Sequence, residues 1–371
     1  MTDNELLHTL ALNNIPGLGV IGIRNLMNAM GDAVSIFEQR NELQRLVPGI
    51  NSRLIEAINE ASVFEGAEKE LAFIHNNHII PLSINDDAYP SRLRECDDAP
   101  IFLFFKGETN LNAPHIISMV GTRNATEYGK QLCEQFICEL KTLCPDIVIV
   151  SGLAYGIDIH AHRGALNNQL DTVGVLAHGL DRIYPSTHRS TAVEMLAHGG
   201  LLTEYLSETN PDRQNFVRRN RIVAGMSDAT IVVESAAKGG GLITADIAQS
   251  YHRDCFAFPG RVNDEYSIGC NNLIRDNKAA LIRSAEDFVK AMCWDTDNKP
   301  ATTPVQRQLF PDLTDEEQNI VTILQKEGDK QINSLVVETN IPINRMTAAL
   351  FTLEMKGVVK TLAGGMYQLL H

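Results

Sequence analysis

Between residues 77 and 291, short apolar runs rich in β-branched residues alternate with longer amphipathic stretches. The runs are continuous rather than alternating, which is typical of strands buried on both faces of a mostly parallel sheet. The sequence therefore predicts a doubly wound α/β domain over residues 77–291. The predicted strands are His78–Ile84, Ile101–Phe105, Ile116–Val120, Ile147–Val150, Thr172–Leu176, Leu201–Thr203, Thr230–Val233 and Cys255–Phe258. The predicted helices are Glu127–Leu143, Ile157–Asn167, Arg189–Ala197, Asn215–Met226 and Leu242–Tyr251.

Residues 1–76 carry helical patterns, interrupted by two turns of the apolar-Pro-Gly-apolar type. These turns are Ile15–Gly19 and Val47–Ile50, and each precedes a predicted helix, Ile21–Met30 and Leu54–Val63. A turn of this type resembles a helix-hairpin-helix unit, in which backbone amides at a helix start bind DNA phosphate. A plain turn in a helical bundle is the alternative, and Asn51 stands where the second copy would need another glycine.

The C-terminal part divides into a polar linker, residues 292–312, and a domain at 313–371 that resembles a winged helix. Thr314 with Glu317 three residues later predicts a capping box at the start of its first helix. The helix predicted at Asn344–Lys356 occupies the recognition position, and a two-stranded wing follows it. This domain has five Lys and Arg against seven Asp and Glu, a net charge of −2. That charge favours a protein-contact or regulatory role over DNA binding.

The whole chain is acidic, with 32 Lys and Arg against 46 Asp and Glu and a formal net charge of −14. This charge argues against a protein that binds DNA over its whole surface, but it permits one focused basic groove. Seven scattered cysteines predict a reduced, cytoplasmic compartment and no zinc site. No apolar run approaches the length of about 18 residues that a membrane span needs, and the N-terminus lacks the pattern of a signal peptide. We expect no metal site, because His160 and His162 diverge on a helix.

Small or glycine-rich loops follow several predicted strands, at the edge where open parallel sheets bind ligands. Gly121 and Arg123 follow one strand, Ser151 and Gly152 follow the next, and Arg182 lies in the loop after a third. Gly240 and Gly241, in a triple-glycine run, open a helix. Free backbone N–H groups beside cations favour a ligand with several phosphates. The alternative is that each glycine only turns the chain. Neither a Walker A motif nor Gly-x-Gly-x-x-Gly is present, so no cofactor is predicted.

The stretch Phe216–Arg221 places one aromatic ring and three arginines within six residues of this acidic chain. On a helix, Phe216, Arg219 and Asn220 share one face, and Arg218 and Arg221 share another. A ring that stacks on a base, beside cations that hold phosphates, is typical of proteins that bind single-stranded nucleic acid. A buried phenylalanine with solvated or ion-paired arginines is the alternative.

Taken together, these loops resemble the DNA-processing protein A family (DprA, also called Smf). The similarity is dense from about residue 77 to residue 283 and looser in the flanking domains. It extends over 119–129, 150–162, 174–185, 200–205, 216–222, 240–245, 256–260 and 267–274. The resemblance implies an extended Rossmann-like core, a homodimer, and binding of single-stranded DNA without base specificity. It further implies loading of the RecA recombinase during natural transformation, with no enzymatic activity.

The resemblance also implies a DNA pocket lined by the Gly-x-Arg loop and the Phe-x-x-Arg-Asn-Arg segment. We therefore expect DNA contacts from Gly121, Arg123, Ser151, Gly152, Tyr155, Arg182, Phe216, Arg218, Arg219, Asn220, Arg221, Gly240 and Gly241. This chain departs from the family pattern at Tyr155, where arginine is common, at His188, where asparagine is usual, and at Gly239–Gly241, where Ser-Gly-Ser is usual.

Two other functions remain open from the sequence. One is a nucleotide hydrolase of the phosphoribosyl type, with Glu234 or Asp246 as the acid, although its usual Pro-Gly-Gly-x-Gly-Thr loop is absent. The other is an interaction scaffold in which both flanking domains serve as docking modules.

Overall fold

The computed structural model describes residues 2–48, 50–60, 62–294, 313–362 and 364–370. Most of the predicted linker, residues 295–312, lies outside the described residues. Its first residues still pack on the core, because the Trp294 ring lies 5.3 Å from that of Phe288 and 4.3 Å from that of His115, measured between centroids.

The N-terminal region is helical, and its helices share a core with Ile101, Phe102 and Phe104 of the following domain. The prediction of one helix over Leu54–Val63 is wrong. Glu60 is extended (φ −72°, ψ 127°) and ends one helix before the next begins at Ser62, so that Ile58 and Val63 both reach the same core. The helices are α1 (Asp3–Asn13), α2 (Val20–Met30), α3 (Ala33–Glu38), α4 (Leu43–Leu46), α5 (Ser52–Asn59) and α6 (Ser62–Asn76).

A nine-stranded sheet forms the centre of the molecule. Its strands are β1 (Ile80–Ser83), β2 (Phe102–Gly107), β3 (Ile116–Val120), β4 (Val148–Ser151), β5 (Thr172–Val175), β6 (Gly199–Thr203), β7 (Ala229–Val232), β8 (Asp254–Ala257) and β9 (Ala280–Leu281). The strand order is β1-β2-β6-β5-β4-β3-β7-β8-β9. The pairs β1–β2 and β2–β6 are antiparallel and the other pairs are parallel, which confirms the mostly parallel α/β fold.

Helices cover both faces of this sheet, as the continuous apolar strands predicted. They are α7 (Ser91–Arg94), α8 (Glu127–Leu143), α9 (Ile157–Asn167), α10 (Arg189–Met195), α11 (Arg213–Gly225), α12 (Gly240–Ser250), α13 (Ile268–Arg275) and α14 (Ala285–Ala291). One core contains residues of α11 and α12, and the other contains residues of α8, α9 and α14. From β3 the chain adds β4, β5 and β6 on one side and then β7 and β8 on the other. The strand order thus reverses beside β3, where such sheets bind ligands.

The C-terminal region forms three helices and a small antiparallel sheet with strand order β10-β12-β11. Its elements are α15 (Asp315–Glu327), β10 (Lys330–Gln331), α16 (Ile332–Thr339), α17 (Ile343–Met355), β11 (Val359–Leu362) and β12 (Met366–Leu369). The predicted capping box is confirmed, because Thr314 and Glu317 accept hydrogen bonds from each other's backbone N–H. The predicted winged helix is confirmed as well, with one additional short strand, β10.

Candidate functional site

A groove of about 900 Å³ lies beyond the carboxyl ends of β3, β4, β7 and β8. It occupies the point where the strand order reverses. The loops that follow these strands form its floor and one wall, and the exposed side of α11 forms the other wall. The candidate site is therefore assembled from segments that lie more than a hundred residues apart in the chain.

Glycines allow the loops of the floor to pack against one another. A Cβ on Gly121 would lie 2.5 Å from the Ile157 side chain and 2.8 Å from the carbonyl oxygen of Glu234. A Cβ on Gly241 would lie 3.1 Å from Cα of Gly121. These two glycines permit close approach of the loops, a packing role that differs from both the anion site and the simple chain turn considered from the sequence.

The N-terminus of α12 opens into this groove. Gly239 is its N-cap residue and provides no side-chain cap, and a Cβ on Gly240 would meet nothing within 4 Å. The first N–H groups of a helix have no partner within the helix, and together with the helix dipole they favour an anion. The triple glycine thus leaves a helix N-terminus uncovered at the wall of the groove.

Helix α11 presents one face to the groove, and the helical spacing predicted that face correctly. Phe216, Arg219, Asn220 and Val223 line the groove. The ring of Phe216 is half-buried, and the guanidinium carbon of Arg123 lies 5.3 Å from its centroid. At this distance a cation and an aromatic ring attract each other. Arg123 is exposed, so its charge also faces the groove.

Two cations of the groove escaped the sequence analysis, Arg213 and Lys238. Both are exposed and line the groove, and within the described ranges neither has an ion-pair partner. Arg213 begins α11 three residues before Phe216 and so shares its face, but the helix predicted from the sequence began only at Asn215. Lys238 directly precedes the triple glycine, and this position beside the predicted phosphate site could have identified it as a groove cation.

The structure places Arg218 and Arg221 away from the groove, on the other face of α11. The Arg221 guanidinium is buried, donates to the Glu204 carboxylate, and donates to the Asp98 carbonyl at 2.7 Å. The Arg218 guanidinium lies 3.8 Å from the same Glu204 carboxylate. Burial raises the pKa of Glu204, and Arg221 and Arg218 oppose that shift. These two arginines thus match the ion-paired alternative.

Three further predicted contacts do not line the groove. Arg182 donates to Asp181 and to the Asn210 side chain, each at 2.8 Å. Ser151 is fully buried, and its hydroxyl donates to the Met119 carbonyl at 2.6 Å. Tyr155 is the third of these residues, whereas Gly152 lines the groove.

Tyr155 is 48% exposed and packs edge-on against His188, with ring centroids 5.0 Å apart, outside the lining of the groove. The two departures from the family pattern at these positions therefore contact each other. Gly152 lies in the floor of the groove, under the guanidinium of Arg219.

Glu265 is exposed and lines the groove, whereas Glu234, Asp158 and Asp246 have structural roles. Glu234 accepts a hydrogen bond from the Thr126 backbone N–H at 2.9 Å and another from the Thr126 hydroxyl. Asp158 is buried and accepts from the backbone N–H groups of Gly152 and Ala154. Asp246 lies on α12 and pairs with Lys278 at 2.7 Å. Among the described residues, no group of three or more His, Cys, Asp and Glu is arranged to hold a metal ion.

The fold and this groove define a doubly wound α/β protein with a crevice lined by exposed cations at its topological switch point. A family model described as DNA recombination-mediator protein A matches residues 81–293, and a DprA winged helix domain matches residues 300–365. The chain therefore belongs to the DprA family of DNA recombination mediators. In the part of the chain that the structure describes, no helix combines the length and apolarity needed to cross a bilayer.

Curated and solved relatives agree with this assignment. The DNA processing protein DprA of Bacillus subtilis is 36% identical over 269 residues, which are 72% of this chain and 84% of that protein. The crystal structure of DprA from Streptococcus pneumoniae superposes with a TM-score of 0.65 at 31% identity and covers 78% of this chain and 98% of that one. DprA of Helicobacter pylori, described with its single-stranded DNA binding mode, has a TM-score of 0.53 at 30% identity and covers 59% and 98%.

Proposed function

We propose that this chain binds single-stranded DNA without sequence preference in the groove between α11 and the N-terminus of α12. One observation carries the proposal: a half-buried ring, three cations and an open helix N-terminus face a single groove. Phe216 would stack on a base, while Arg123, Arg213 and Lys238 would hold the phosphates. Both contacts are indifferent to sequence, because every base has a π-face and every nucleotide has a phosphate.

A single strand fits these contacts better than a duplex. A base can stack on Phe216 only when it is free of its neighbours in a helix, and in a duplex that requires unstacking. The DprA of Helicobacter pylori is described as binding single-stranded DNA, which supports the same ligand here. The net charge of −14 over the whole chain is compatible with this ligand, because cations focused in one groove attract phosphates locally.

The finer role follows the family resemblance: a homodimer that loads RecA onto single strands during natural transformation and that catalyses no reaction. The hydrolase alternative receives less support, because Glu234 holds Thr126 and Asp246 pairs with Lys278 outside the groove. RecA loading would appear as a shortened lag in RecA filament formation on single-stranded DNA. The lag should return to its unassisted length with a variant that lacks Arg123 and Arg213.

Fluorescence anisotropy with labelled oligo-dT and with a duplex of equal length tests DNA binding. Three phosphate contacts predict that affinity falls about 20-fold between about 50 and 200 mM salt, from a slope of about −0.7 per contact. Arg213→Ala and Lys238→Ala should each weaken binding and each lower that slope by about 0.7. Arg182→Ala, which removes a cation outside the groove, is the control and should leave both unchanged. Binding that prefers duplex or ignores salt would overturn the proposal.

A further inference from the structure

We propose that Arg219 is a positioning residue: together with Asp158 it holds the loop 151–156 as the floor of the groove, and it contacts no phosphate. The family motif places Arg219 among the DNA contacts, so the sequence and the structure disagree about what this cation does. The inference rests on the proposed function, because it assigns a role within the same groove.

Most of the Arg219 side chain is buried, and Nη1 of its guanidinium is already occupied. The residue is 3% exposed, and its Nη1 donates to the carbonyl of Gly152 at 2.7 Å and also to the carbonyl of Val175. These two carbonyls lie at the carboxyl ends of the neighbouring strands β4 and β5, so Arg219 joins α11 to the ends of both. Its Nε has no acceptor among the described residues, but this atom is also sealed from solvent. A phosphate oxygen therefore has no access to Nε.

Asp158 binds the backbone N–H of Gly152, the residue whose carbonyl accepts from Arg219. One oxygen of its carboxylate accepts from the backbone N–H of Gly152 at 3.1 Å and from that of Ala154 at 3.4 Å. Gly152 thus gives its N–H to Asp158 and its C=O to Arg219. Burial raises the pKa of the Asp158 carboxyl, and the opposite charge of Arg219 opposes that shift.

Gly152 is the residue that makes this arrangement possible. A Cβ at this position would lie 2.3 Å from Nη2 of Arg219, so the guanidinium occupies the space that a side chain would need. Gly152 and Arg219, which are 67 residues apart in the chain, therefore pack directly against each other. Either residue alone, read from the sequence, indicates an anion site.

The loop needs external support and transmits its position to the groove. Leu153 has a φ of +55°, a left-handed conformation that a leucine adopts only at a cost. Gly156 has a φ of +76°, and a Cβ there would lie 2.1 Å from the carbonyl oxygen of Thr122. Ile157 donates its N–H to that carbonyl at 3.1 Å. The loop thus rests against Thr122 and Arg123, and its displacement would move the cation that does face the groove.

The salt dependence of DNA binding separates positioning from contact. For Arg219→Gln we expect the dissociation constant for oligo-dT to rise about tenfold or more with the salt slope within about 0.2 of wild type. Loss of a phosphate contact would instead lower the slope by about 0.7. Arg213→Ala, measured beside it, shows the size of a contact effect. A lowered slope, or unchanged affinity, for Arg219→Gln overturns the inference.

Asp158→Ala provides an independent test that removes no cation. If Arg219 contacts phosphate, deleting a nearby negative charge leaves affinity unchanged or raises it. If the pair positions the floor, affinity falls as it does in Arg219→Gln, and the double variant is no weaker than the poorer single variant. Thermal unfolding by circular dichroism verifies that each variant is folded at the assay temperature. Should one variant not fold, the isosteric Asp158→Asn gives the same contrast, because a fall in affinity supports positioning and a rise contradicts it. Failure of the wild type to bind any single strand would reject the proposed function itself.

Discussion

Removal of the Phe216 ring isolates the stacking contribution to DNA binding. The ring is half-buried, Arg123 lies 5.3 Å from its centroid and Tyr184 lies 5.9 Å from it. A stacked base contributes about 1–3 kcal/mol by alanine substitution, which corresponds to a rise of about 5- to 150-fold in Kd. Phe216→Ala should therefore weaken oligo-dT binding by that factor, whereas Phe216→Tyr, which keeps a ring, should stay within about threefold.

Tyr155→Ala is the matched control, because Tyr155 is also an exposed aromatic residue but contacts His188 outside the groove. Its Kd, measured by anisotropy at the same salt concentration, should stay within about twofold of wild type. Kd within twofold of wild type for Phe216→Ala would refute the stacking argument. An equal loss for Tyr155→Ala would refute the boundary of the groove.

Three further predictions concern residues away from the DNA contacts. Arg218→Ala should leave oligo-dT affinity within about twofold in the anisotropy assay, because its side chain lies beside Glu204 on the other face of α11. Arg221→Ala should reduce the free energy of unfolding in urea by about 3–5 kcal/mol, because it leaves the buried Glu204 without its closest partner. For His162, burial lowers the pKa to about 3 in the folded state, so the unfolded state binds more protons below pH 6.5. The free energy of unfolding should then fall by about 2 kcal/mol between about pH 7 and pH 5, and this part of the fall should be absent in His162→Gln.

A specific result would contradict each of these three predictions. A tenfold loss of affinity for Arg218→Ala would mean that the strand also runs along the far side of α11. An unchanged unfolding midpoint for Arg221→Ala would mean that solvent compensates Glu204. Equal pH dependence of wild type and His162→Gln would mean that His162 becomes protonated in the folded state.

Much of the central domain was predictable because buried parallel strands and their covering helices have distinct patterns. The bounds predicted for Glu127–Leu143 and Ile157–Asn167 match α8 and α9. The antiparallel pairing of β1 and β2 was not predictable, since short apolar runs carry no information about their neighbours. The break at Glu60 also escaped, because the helical period of the sequence continues across it from Leu54 to Val63.

For the candidate site, helical periodicity predicted which side chains face the groove but not how deeply each one is buried. The spacing on α11 correctly separated Phe216, Arg219 and Asn220 from Arg218 and Arg221. It did not predict that Arg219 is buried, because that depends on the space left by Gly152, a residue in the loop after β4. Charge alone was equally misleading, since Arg221 is paired with Glu204, whereas Lys238 has no ion-pair partner among the described residues.

The central claim is that a single strand occupies the groove between α11 and the N-terminus of α12. Photo-cross-linking of oligo-dT containing 5-iodouracil to the full chain, followed by peptide mass spectrometry, tests it most directly. We predict cross-links to Phe216 and to Tyr266, an aromatic residue on the opposite wall of the groove, and their loss in the presence of excess unlabelled strand. Cross-links confined to α17 or to the turn at Ile15–Gly19 would contradict the claim.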